Sequence, residues 1–290
     1  MTTKAAGRDA TSEPASTLVA ATRLAIRSSY AQRRGLIHPP WPLGTTAGSY
    51  TCSVSPYEST PRIAEAYPEV RRRLEAWCGF PVLQEVMRLH GDLIVHIAGG
   101  AVRNVLMGRE PKSKDWDFFL SGPSVGTAID HFRRHGNLAA TPYGAPRWTP
   151  HEETAQYADL MSISGFVPGL WPCEDITDVL NQFDFTANAV AFDLRTGQAF
   201  DPQNGARDAS RRVMRMVRFD YPDGPYTTDA TLDRNVVLWF RIVHYASRLG
   251  LAIEPLTREW LLTRGDQRDH AVAFERQFFA PDLRAWATLS

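Results

Sequence analysis

The sequence is poor in lysine and carries no net charge. Lysine occurs only as Lys4, Lys112 and Lys114, so arginine supplies most of the 32 basic residues, which 32 acidic residues balance. A formal net charge of zero excludes a uniformly basic nucleic-acid-binding tail and an acidic solvating chain, although it does not exclude a local basic surface. Because arginine binds phosphate through two parallel hydrogen bonds, its abundance is compatible with nucleotide or RNA contacts.

Cysteines and long apolar runs are also scarce. The three cysteines, Cys52, Cys78 and Cys173, form no CxxC pair, which argues against a zinc knuckle or a disulfide framework and indicates reduced thiols in a cytoplasmic protein. No uncharged apolar run is long enough for a membrane span, and residues 1–34 lack the apolar core of a secretory signal. The composition, 43% hydrophobic over 290 residues, is typical of a globular protein.

The apolar pattern divides the chain into three parts. Residues 1–60 contain a stretch rich in Pro, Gly, Ser and Thr and predict a flexible N-terminal arm. Residues 61–228 combine predicted helices with predicted strands, and residues 229–290 are predicted to be mostly helical. We therefore predict an α+β fold, in which a mixed sheet with helices at its start is followed by a short helical segment.

Individual elements follow from the spacing of the apolar residues. Helices are predicted over 61–77, 81–91, 101–107, 128–135 and 232–249, and residues 256–286 are predicted to be mostly helical. Strands are predicted over 93–98, 115–120, 157–163 and 185–192, with a hairpin turn at 196–198 leading into 199–200.

A Gly-Gly turn between a strand and a helix is the first part of the most informative segment. Gly99-Gly100 follows the apolar strand and precedes the short helix. Such a turn lets backbone amides approach an anion closely, and the N-terminus of the helix adds partial positive charge. Arg103 and Arg109 lie close enough in sequence to help clamp a polyphosphate. Taken alone, a Gly-Gly before a helix is more often a packing turn.

A pair of carboxylates closes the same segment. Asp115 and Asp117 are separated by one residue on a predicted strand, so both side chains point to one face. Two such carboxylates suit a hard divalent cation whose coordination substrate phosphates complete, and metals held in this way support phosphoryl transfer. An isolated DxD is more often a solvated strand face, but strand, Gly-Gly turn, helix and DxD strand in this order form one coherent unit.

These segments resemble the polymerase-β-like nucleotidyltransferases, and among them the bacterial-type (class II) CCA-adding enzymes and poly(A) polymerases. GGAVRNVLMGREPKSKDWD, residues 99–117, is similar to the family pattern GGxVRDxLLGRxxxDxD. Farther along, FDFTANA (183–189) is similar to RRDFTINA, DPQNGARD (201–208) to DPxxGxxDL, and YASRLGL (245–251) to FAARLGF. The resemblance covers residues 93–255 in the order that the family has.

The resemblance implies a role for each matching position. It implies a nucleotidyltransferase head over residues 61–228 and a helical neck or shortened body over 229–290. Asp115 and Asp117 would hold the catalytic Mg²⁺ or Mn²⁺ ions, and Asp159 is the candidate third carboxylate, the alternative being an ordinary strand carboxylate. The implied nucleotide-binding residues are Gly99, Gly100, Arg103, Arg109, Asp184, Asn188 and Arg241.

The chain also departs from the family pattern. Asn104 stands where the family has Asp, and Gln182-Phe183 replaces the Arg pair of RRDFTINA. The EDxxR element, which reads the incoming base in CCA-adding enzymes, corresponds to residues 234–238 and retains neither its Asp nor its Arg. Asp233 and Arg234 lie close by, and the alternative is a shifted register that restores part of the element. Only 40 residues follow Gly250, and we therefore expect the protein to recognise a short RNA end, to depend on a partner or to use a different acceptor.

Three functions are consistent with the sequence. The first is a metal-dependent RNA nucleotidyltransferase that transfers NMP from ATP or CTP to an RNA 3′-hydroxyl, with tRNA as the expected acceptor and pyrophosphate as the leaving group. The second keeps this chemistry but modifies a protein, a small molecule or another nucleotide, as toxins and defence effectors do. The third is a catalytically degenerate module that binds nucleotide or RNA. The retained DxD pair favours the first.

Two further patterns are open to more than one interpretation. His131 and His135 are spaced four apart on a predicted helix, and such a pair could bind a metal, but no third ligand accompanies them at helical spacing. We therefore interpret them as surface residues. A run of arginines either faces solvent or converges into a groove for RNA; its members are Arg207, Arg211, Arg212, Arg215 and Arg218.

Overall fold

The computed structural model describes residues 61–109, 115–141, 145–151, 155–166, 170–225 and 231–289. The predicted arm over 1–60 lies outside the described residues, as do all three lysines. None of the described helices combines the length and the apolar character that a membrane span requires.

Most of the predicted helices are present. The helices are α1 (Pro61–Glu75), α2 (Phe80–Leu89), α3 (Gly99–Leu106), α4 (Val125–Arg134), α5 (Ile176–Leu180), α6 (Gly205–Arg211), α7 (Arg234–Leu249), α8 (Pro255–Leu262), α9 (Ala271–Gln277) and α10 (Arg284–Ala287). The long α7 ends at Gly250, which has a φ of 65° and closes the helix in the left-handed conformation, as predicted.

Seven strands form a mixed sheet, which confirms the predicted fold class. They are β1 (Ile94–Ala98), β2 (Asp115–Ser121), β3 (Gly136–Ala140), β4 (Pro146–Pro150), β5 (Tyr157–Ser162), β6 (Ala191–Asp193) and β7 (Ala199–Phe200). Their order is β3-β4-β5-β2-β1-β6-β7, and within it β2 and β5 are parallel while the other neighbours are antiparallel. A separate parallel pair joins β8 (Val213–Met214) to β9 (Ala252–Ile253).

The alternation of side chains along β2 gives the sheet two different faces. Trp116, Phe118 and Leu120 are buried in an apolar cluster with residues of α1, α2 and α4. Phe119 points the other way, into a cluster with residues of α5. Asp115 and Asp117 share the face of Phe119, because successive side chains on a strand point to opposite sides. Helices α1, α2 and α4 therefore shield one face, and the carboxylates lie on the other, which α5 covers in part.

A second apolar cluster surrounds α7. Trp239 and Phe240 are fully buried, and the Phe240 ring stacks on that of Phe274 with centroids 4.6 Å apart. The same cluster includes Phe185 and Met216, so α7 and the chain that precedes it share one core. The C-terminal aromatic residues are therefore used for packing.

The strand predicted over 185–192 is wrong for most of its length. Residues Thr186–Asn188 form a 3₁₀ turn, and β6 covers only Ala191–Asp193. The turn places the buried Thr186 hydroxyl where it donates to the Asp208 carboxylate at 2.7 Å. Consecutive residues here are buried on both sides, and an apolar run of this kind does not distinguish a strand from other buried backbone.

One helix prediction also requires correction. The helix predicted to begin at Ala101 begins at Gly99, so both glycines belong to its first turn. Residues 256–286 are mostly helical, as predicted, in the form of α8, α9 and α10 with a 3₁₀ segment at Gly265–His270 and non-helical backbone at 278–283. The hairpin turn at 196–198 is confirmed, with Gly197 at a φ of 74°.

Candidate active site

The N-terminus of α3 opens directly at the end of β1. Gly99 has a φ of 73°, a left-handed conformation that glycine adopts without steric cost. A Cβ atom at Gly99 would collide with the Asp117 carboxylate, whereas a Cβ at Gly100 would meet only the Arg103 guanidinium at 3.5 Å. The backbone N–H of Gly100 donates to Asp117. The Gly-Gly turn therefore leaves space for a carboxylate of the neighbouring strand and binds it.

Three carboxylates lie on the same face of the sheet. Asp115 and Asp117 alternate with buried residues along β2, and Asp117 pairs in register with Asp159 on the parallel strand β5. Paired residues on adjacent strands lie about 5 Å apart and point to one face. The structure thus brings together all three residues that we predicted to be catalytic, and their catalytic role stays a prediction.

The surroundings of this pair disfavour negative charge. Burial, followed by repulsion from Asp159, raises the pKa of Asp115. Burial, followed by repulsion from Asp115 and Asp159, raises the pKa of Asp117 to about 8, and Arg241 opposes the shift. A divalent cation between these oxygens would remove the repulsion, and carboxylate oxygens are the ligands that Mg²⁺ and Mn²⁺ prefer. The DxD pair therefore fits such a cation.

Asp159 is held by an arginine that the sequence analysis missed. Nε and Nη2 of Arg147 on β4 donate to Oδ1 and Oδ2 of Asp159 at 2.8 and 3.0 Å. The same guanidinium lies 3.8 Å from the centroid of the Tyr157 ring. A two-point contact of this kind neutralises the carboxylate and competes with a cation for its oxygens. Among the described residues, the three carboxylates do not form a group whose ligand atoms all lie within 4.8 Å of one another.

Four of the predicted nucleotide-binding residues form one hydrogen-bonded chain. Nη1 of Arg103 donates to Oδ1 of Asn188 at 2.7 Å, and Nδ2 of Asn188 donates to Oδ1 of Asp184 at 3.1 Å. Nε and Nη2 of Arg241 donate to Oδ2 of Asp184 at 3.0 and 2.6 Å. The Tyr245 ring lies 5.4 Å from the Arg103 guanidinium and 5.3 Å from that of Arg241. These contacts fix two cations beside the DxD face.

Arg103 is the more enclosed of the two arginines in this hydrogen-bonded chain of four residues. Its side chain is buried, and burial lowers the pKa of the guanidinium while the charges of Tyr245, Asp184, Asp115 and Asp117 oppose the shift. Because arginine stays protonated even when its pKa falls, a fixed positive charge faces the carboxylates.

Arg109 is engaged elsewhere. Its Nη2 donates to the backbone carbonyl of Leu249 at 3.3 Å, at the end of α7. The structure therefore joins Arg109 to the last turn of α7 instead of to the chain of Arg103, Asn188, Asp184 and Arg241.

The positions that correspond to the EDxxR element are buried. Nδ2 of Asn235 donates to Oδ1 of Asp223 at 2.7 Å and to the carbonyl of Tyr221 at 3.3 Å. Oδ1 of Asn235 is buried with no hydrogen-bond partner among the described residues. Leu238 belongs to the apolar cluster around α7. The site therefore carries one amide and one aliphatic side chain at the positions of the family's Asp and Arg.

The run of arginines that begins within α6 is divided among separate contacts. Nε of Arg215 donates to Oδ2 of the buried Asp208 at 2.8 Å. Nε and Nη2 of Arg218 donate to the two carboxylate oxygens of Asp220, each at 2.6 Å. At least two members of the run are thus committed to ion pairs within the protein.

Comparison with known proteins defines the class of this fold. The structure is similar to that of a CCA-adding enzyme in complex with ATP, with a TM-score of 0.51 and 17% identity, over 75% of this chain and 49% of that one. It is also similar to the Thermotoga maritima CCA-adding enzyme complexed with tRNA, with a TM-score of 0.51 and 19% identity, over 72% and 48%. The chain therefore shares the fold of these structures over about three quarters of its length.

A family model matches part of the chain. Residues 95–215 match the model of the poly A polymerase head domain. This match confirms, over that segment, the resemblance inferred from the sequence.

Curated relatives resemble a larger part of the chain. The multifunctional CCA protein of Xanthomonas oryzae pv. oryzae (strain MAFF 311018) is 28% identical over 204 residues, which are 67% of this chain and 44% of that protein. The CCA-adding enzyme of Actinobacillus succinogenes (strain ATCC 55618 / DSM 22257 / CCUG 43843 / 130Z) is 25% identical over 172 residues, 57% of this chain and 39% of that protein. The chain spans less than half the length of these relatives.

Proposed function

We propose that the protein is a metal-dependent nucleotidyltransferase that adds NMP from an NTP to the 3′-hydroxyl of an RNA, with tRNA as the acceptor. The observation that carries the proposal is the face on which the N-terminus of α3 meets Asp115, Asp117 and Asp159. The head-domain match and the names of the relatives, multifunctional CCA protein and CCA-adding enzyme, support the same activity.

Each group on this face has a task in the reaction. Asp115 and Asp117 would hold Mg²⁺ or Mn²⁺, and the chemistry supplied by such an ion is neutralisation of phosphate charge and activation of the attacking hydroxyl. The amides at the start of α3 and the Arg103 guanidinium bind and orient the triphosphate. A bond forms between O3′ and the α-phosphorus, the α–β phosphoanhydride bond breaks, and pyrophosphate leaves.

We infer that Asp159 takes part in the removal of the hydroxyl proton. It lies opposite Asp117, and its oxygens are occupied by Arg147. We infer that this ion pair positions the carboxylate and that Asp159 accepts the proton only when Arg147 shifts towards the substrate phosphates. Asp184 and Asn188 act by holding Arg241 and Arg103 in place.

The choice of nucleotide is expected to be less strict than in an enzyme with an intact EDxxR element. Leu238 offers no hydrogen bond to a base, and the amide nitrogen of Asn235 is already engaged with Asp223. A site discriminates strongly between bases only where its polar groups are present and aimed at the base. We therefore propose that both ATP and CTP are used. The same substitutions favour a second candidate, transfer of the nucleotide to a protein, a small molecule or another nucleotide.

The cell compartment follows from the same proposal. Cys173 is a free thiol in the structure, which is consistent with a reducing environment. We infer that the protein acts in the cytoplasm, where its proposed RNA acceptor is found.

Incorporation of labelled nucleotides separates the candidates. The full chain is incubated with Mg²⁺ or Mn²⁺, each α-labelled NTP in turn, and tRNA that lacks its 3′ end. We expect the tRNA to be extended by the wild type and not by Asp115→Asn or Asp117→Asn, with the exposed Asp266→Asn as the matched control. Label on protein or on a small molecule would favour the second candidate. NTP binding without incorporation would indicate a module that only binds.

A further inference from the structure

Three metal-ligating side chains meet between α2 and α4, outside the candidate active site. His131 lies in the last turn of α4 and His135 follows it one turn later, while Glu85 comes from α2. One ligand atom of each residue lies within 4.8 Å of the others. Nε2 of His131 is 3.6 Å from Oε2 of Glu85, and the two imidazole rings are stacked with centroids 4.7 Å apart. The third ligand that the sequence lacked at helical spacing is thus supplied by a different helix.

The most enclosed member of the group has an unused nitrogen. His131 is only 5% exposed, and its Nε2 has no hydrogen-bond partner among the described residues. Its Nδ1 lies 3.3 Å from Nη2 of Arg134. A buried polar nitrogen without a partner costs free energy, and this one faces a carboxylate at a distance too long for a hydrogen bond. Such an arrangement suits an atom inserted between the two groups.

The donor set determines which ion fits. We propose that Glu85, His131 and His135 form a binding site for a borderline divalent ion, Zn²⁺ above all, which joins α2 to α4. Two imidazole nitrogens and one carboxylate oxygen are a known zinc ligand set, with a fourth position left for water. Two tetrahedral ligands at about 2.0–2.1 Å from zinc lie about 3.3 Å apart, so the observed 3.6 Å needs only a small adjustment. Mg²⁺ prefers oxygen ligands and does not suit this set.

The site is distinct from the carboxylates of the candidate active site. Ala128 and Phe132 of α4 pack with Trp116, Phe118 and Leu120, on the face of the sheet that is opposite to the DxD pair. An ion held here does not touch the reacting groups. It cross-links two of the helices that cover this face, α2 and α4, and therefore stabilises the folded protein.

The charges around the site set its affinity. Glu85 supplies the one negative charge of the ligand set, and the Arg134 guanidinium next to His131 opposes a cation. To bind the ion through Nε2, His131 must carry its proton on Nδ1, and Arg134 must then turn into solvent, where its side chain is already largely exposed. Removal of this competitor is expected to tighten binding, so Arg134→Gln should bind Zn²⁺ more strongly than the wild type.

The test uses the full chain after treatment with a chelator, in a background in which Asp115→Asn and Asp117→Asn remove the other candidate cation site. Zn²⁺ is titrated by calorimetry, and Co²⁺ is used as a probe whose visible absorption reports nitrogen ligands. We expect one equivalent of Zn²⁺, a rise in Tm on binding, and a loss of affinity of at least about tenfold in Glu85→Gln and in His135→Gln. Both residues are partly or fully exposed, so these changes leave the core intact.

A matched histidine controls for adventitious binding. His270 is exposed and lies in the C-terminal segment, and His270→Gln is expected to bind Zn²⁺ like its parent. Equal Zn²⁺ affinity in the parent, Glu85→Gln and His135→Gln would overturn the proposal, as would the absence of saturable binding at millimolar Zn²⁺. Mg²⁺ in excess is expected to leave the Zn²⁺ titration unchanged, and displacement by Mg²⁺ would contradict the assigned ligands.

Discussion

Replacing Asp117 by asparagine is expected to stabilise the metal-free protein. The carboxyl group is enclosed beside Asp115 and Asp159, and its pKa is raised from 3.8 to about 8. One pKa unit corresponds to about 1.4 kcal/mol, so keeping the proton on this group at neutral pH, where the unfolded chain is ionised, costs the folded state at most roughly 4 kcal/mol. Because the side chain keeps some contact with solvent, we expect Asp117→Asn to gain about 2 kcal/mol. The amide oxygen can still accept the hydrogen bond from Gly100.

The stability gained by Asp117→Asn is expected to depend on pH. A carboxyl group with a raised pKa binds its proton more tightly in the folded state, so the wild type loses stability as the pH rises from about 4 to about 8. The advantage of Asp117→Asn is therefore small near pH 5 and largest near pH 8. Urea unfolding in the presence of a chelator measures both, with Asp266→Asn as the control. Added Mg²⁺ should reduce the difference, because it binds the folded wild type.

Two results would refute this reasoning. One is an Asp117→Asn protein that unfolds at the same urea concentration as the wild type, or at a lower one, at neutral pH without metal. The other is a gain that does not change between about pH 5 and about pH 8, since a packing effect would be independent of pH.

Three other substitutions test the surroundings of the site. Gly99→Ala is expected to destabilise the protein by about 1–2 kcal/mol or more and to abolish nucleotidyl transfer, because residue 99 has a positive φ and a Cβ there collides with the Asp117 carboxylate. Gly100→Ala is the control and is expected to lower the stability measured by thermal unfolding far less. Arg241→Met leaves the buried Asp184 carboxylate without its charged partner and should cost about 3 kcal/mol in urea unfolding; a loss close to zero would contradict the importance of this ion pair. Asp159→Asn should lower kcat about 100-fold with NTP binding retained, and a fully active variant would exclude the residue from catalysis.

The parts of the site that could be predicted from sequence are those in which local pattern and chemistry coincide. The alternation around Asp115 and Asp117 predicts a shared face, and the two glycines at the start of α3 predict a close approach of the backbone to another group. The group that approaches is Asp117 itself, which the sequence did not indicate. The chain from Arg103 to Arg241 spans residues far apart in sequence, and only the resemblance to a family brought its members together.

The contacts that the sequence did not predict join residues of different helices or strands. Arg147 lies on β4, which begins and ends with proline and therefore does not have the composition of a strand, so its contact with Asp159 was not foreseen. Glu85 was overlooked for a similar reason, since its neighbours His131 and His135 belong to another helix. Such contacts depend on how elements pack, and the spacing of residues within one element does not determine them.

The parallel pairing of β2 with β5 has a consequence for how the sequence can vary. The two strands are joined by α4, β3 and β4, and the position of Asp159 is determined by the hydrogen-bond register with β2 rather than by the length of this connection. Residues can be inserted in or lost from the connecting loops without moving the carboxylate. By contrast, a shift of the pairing between β5 and β2 by a single residue would bring Ala158 or Leu160 opposite Asp117. It would turn Asp159 to the face of the sheet that packs against α1, α2 and α4.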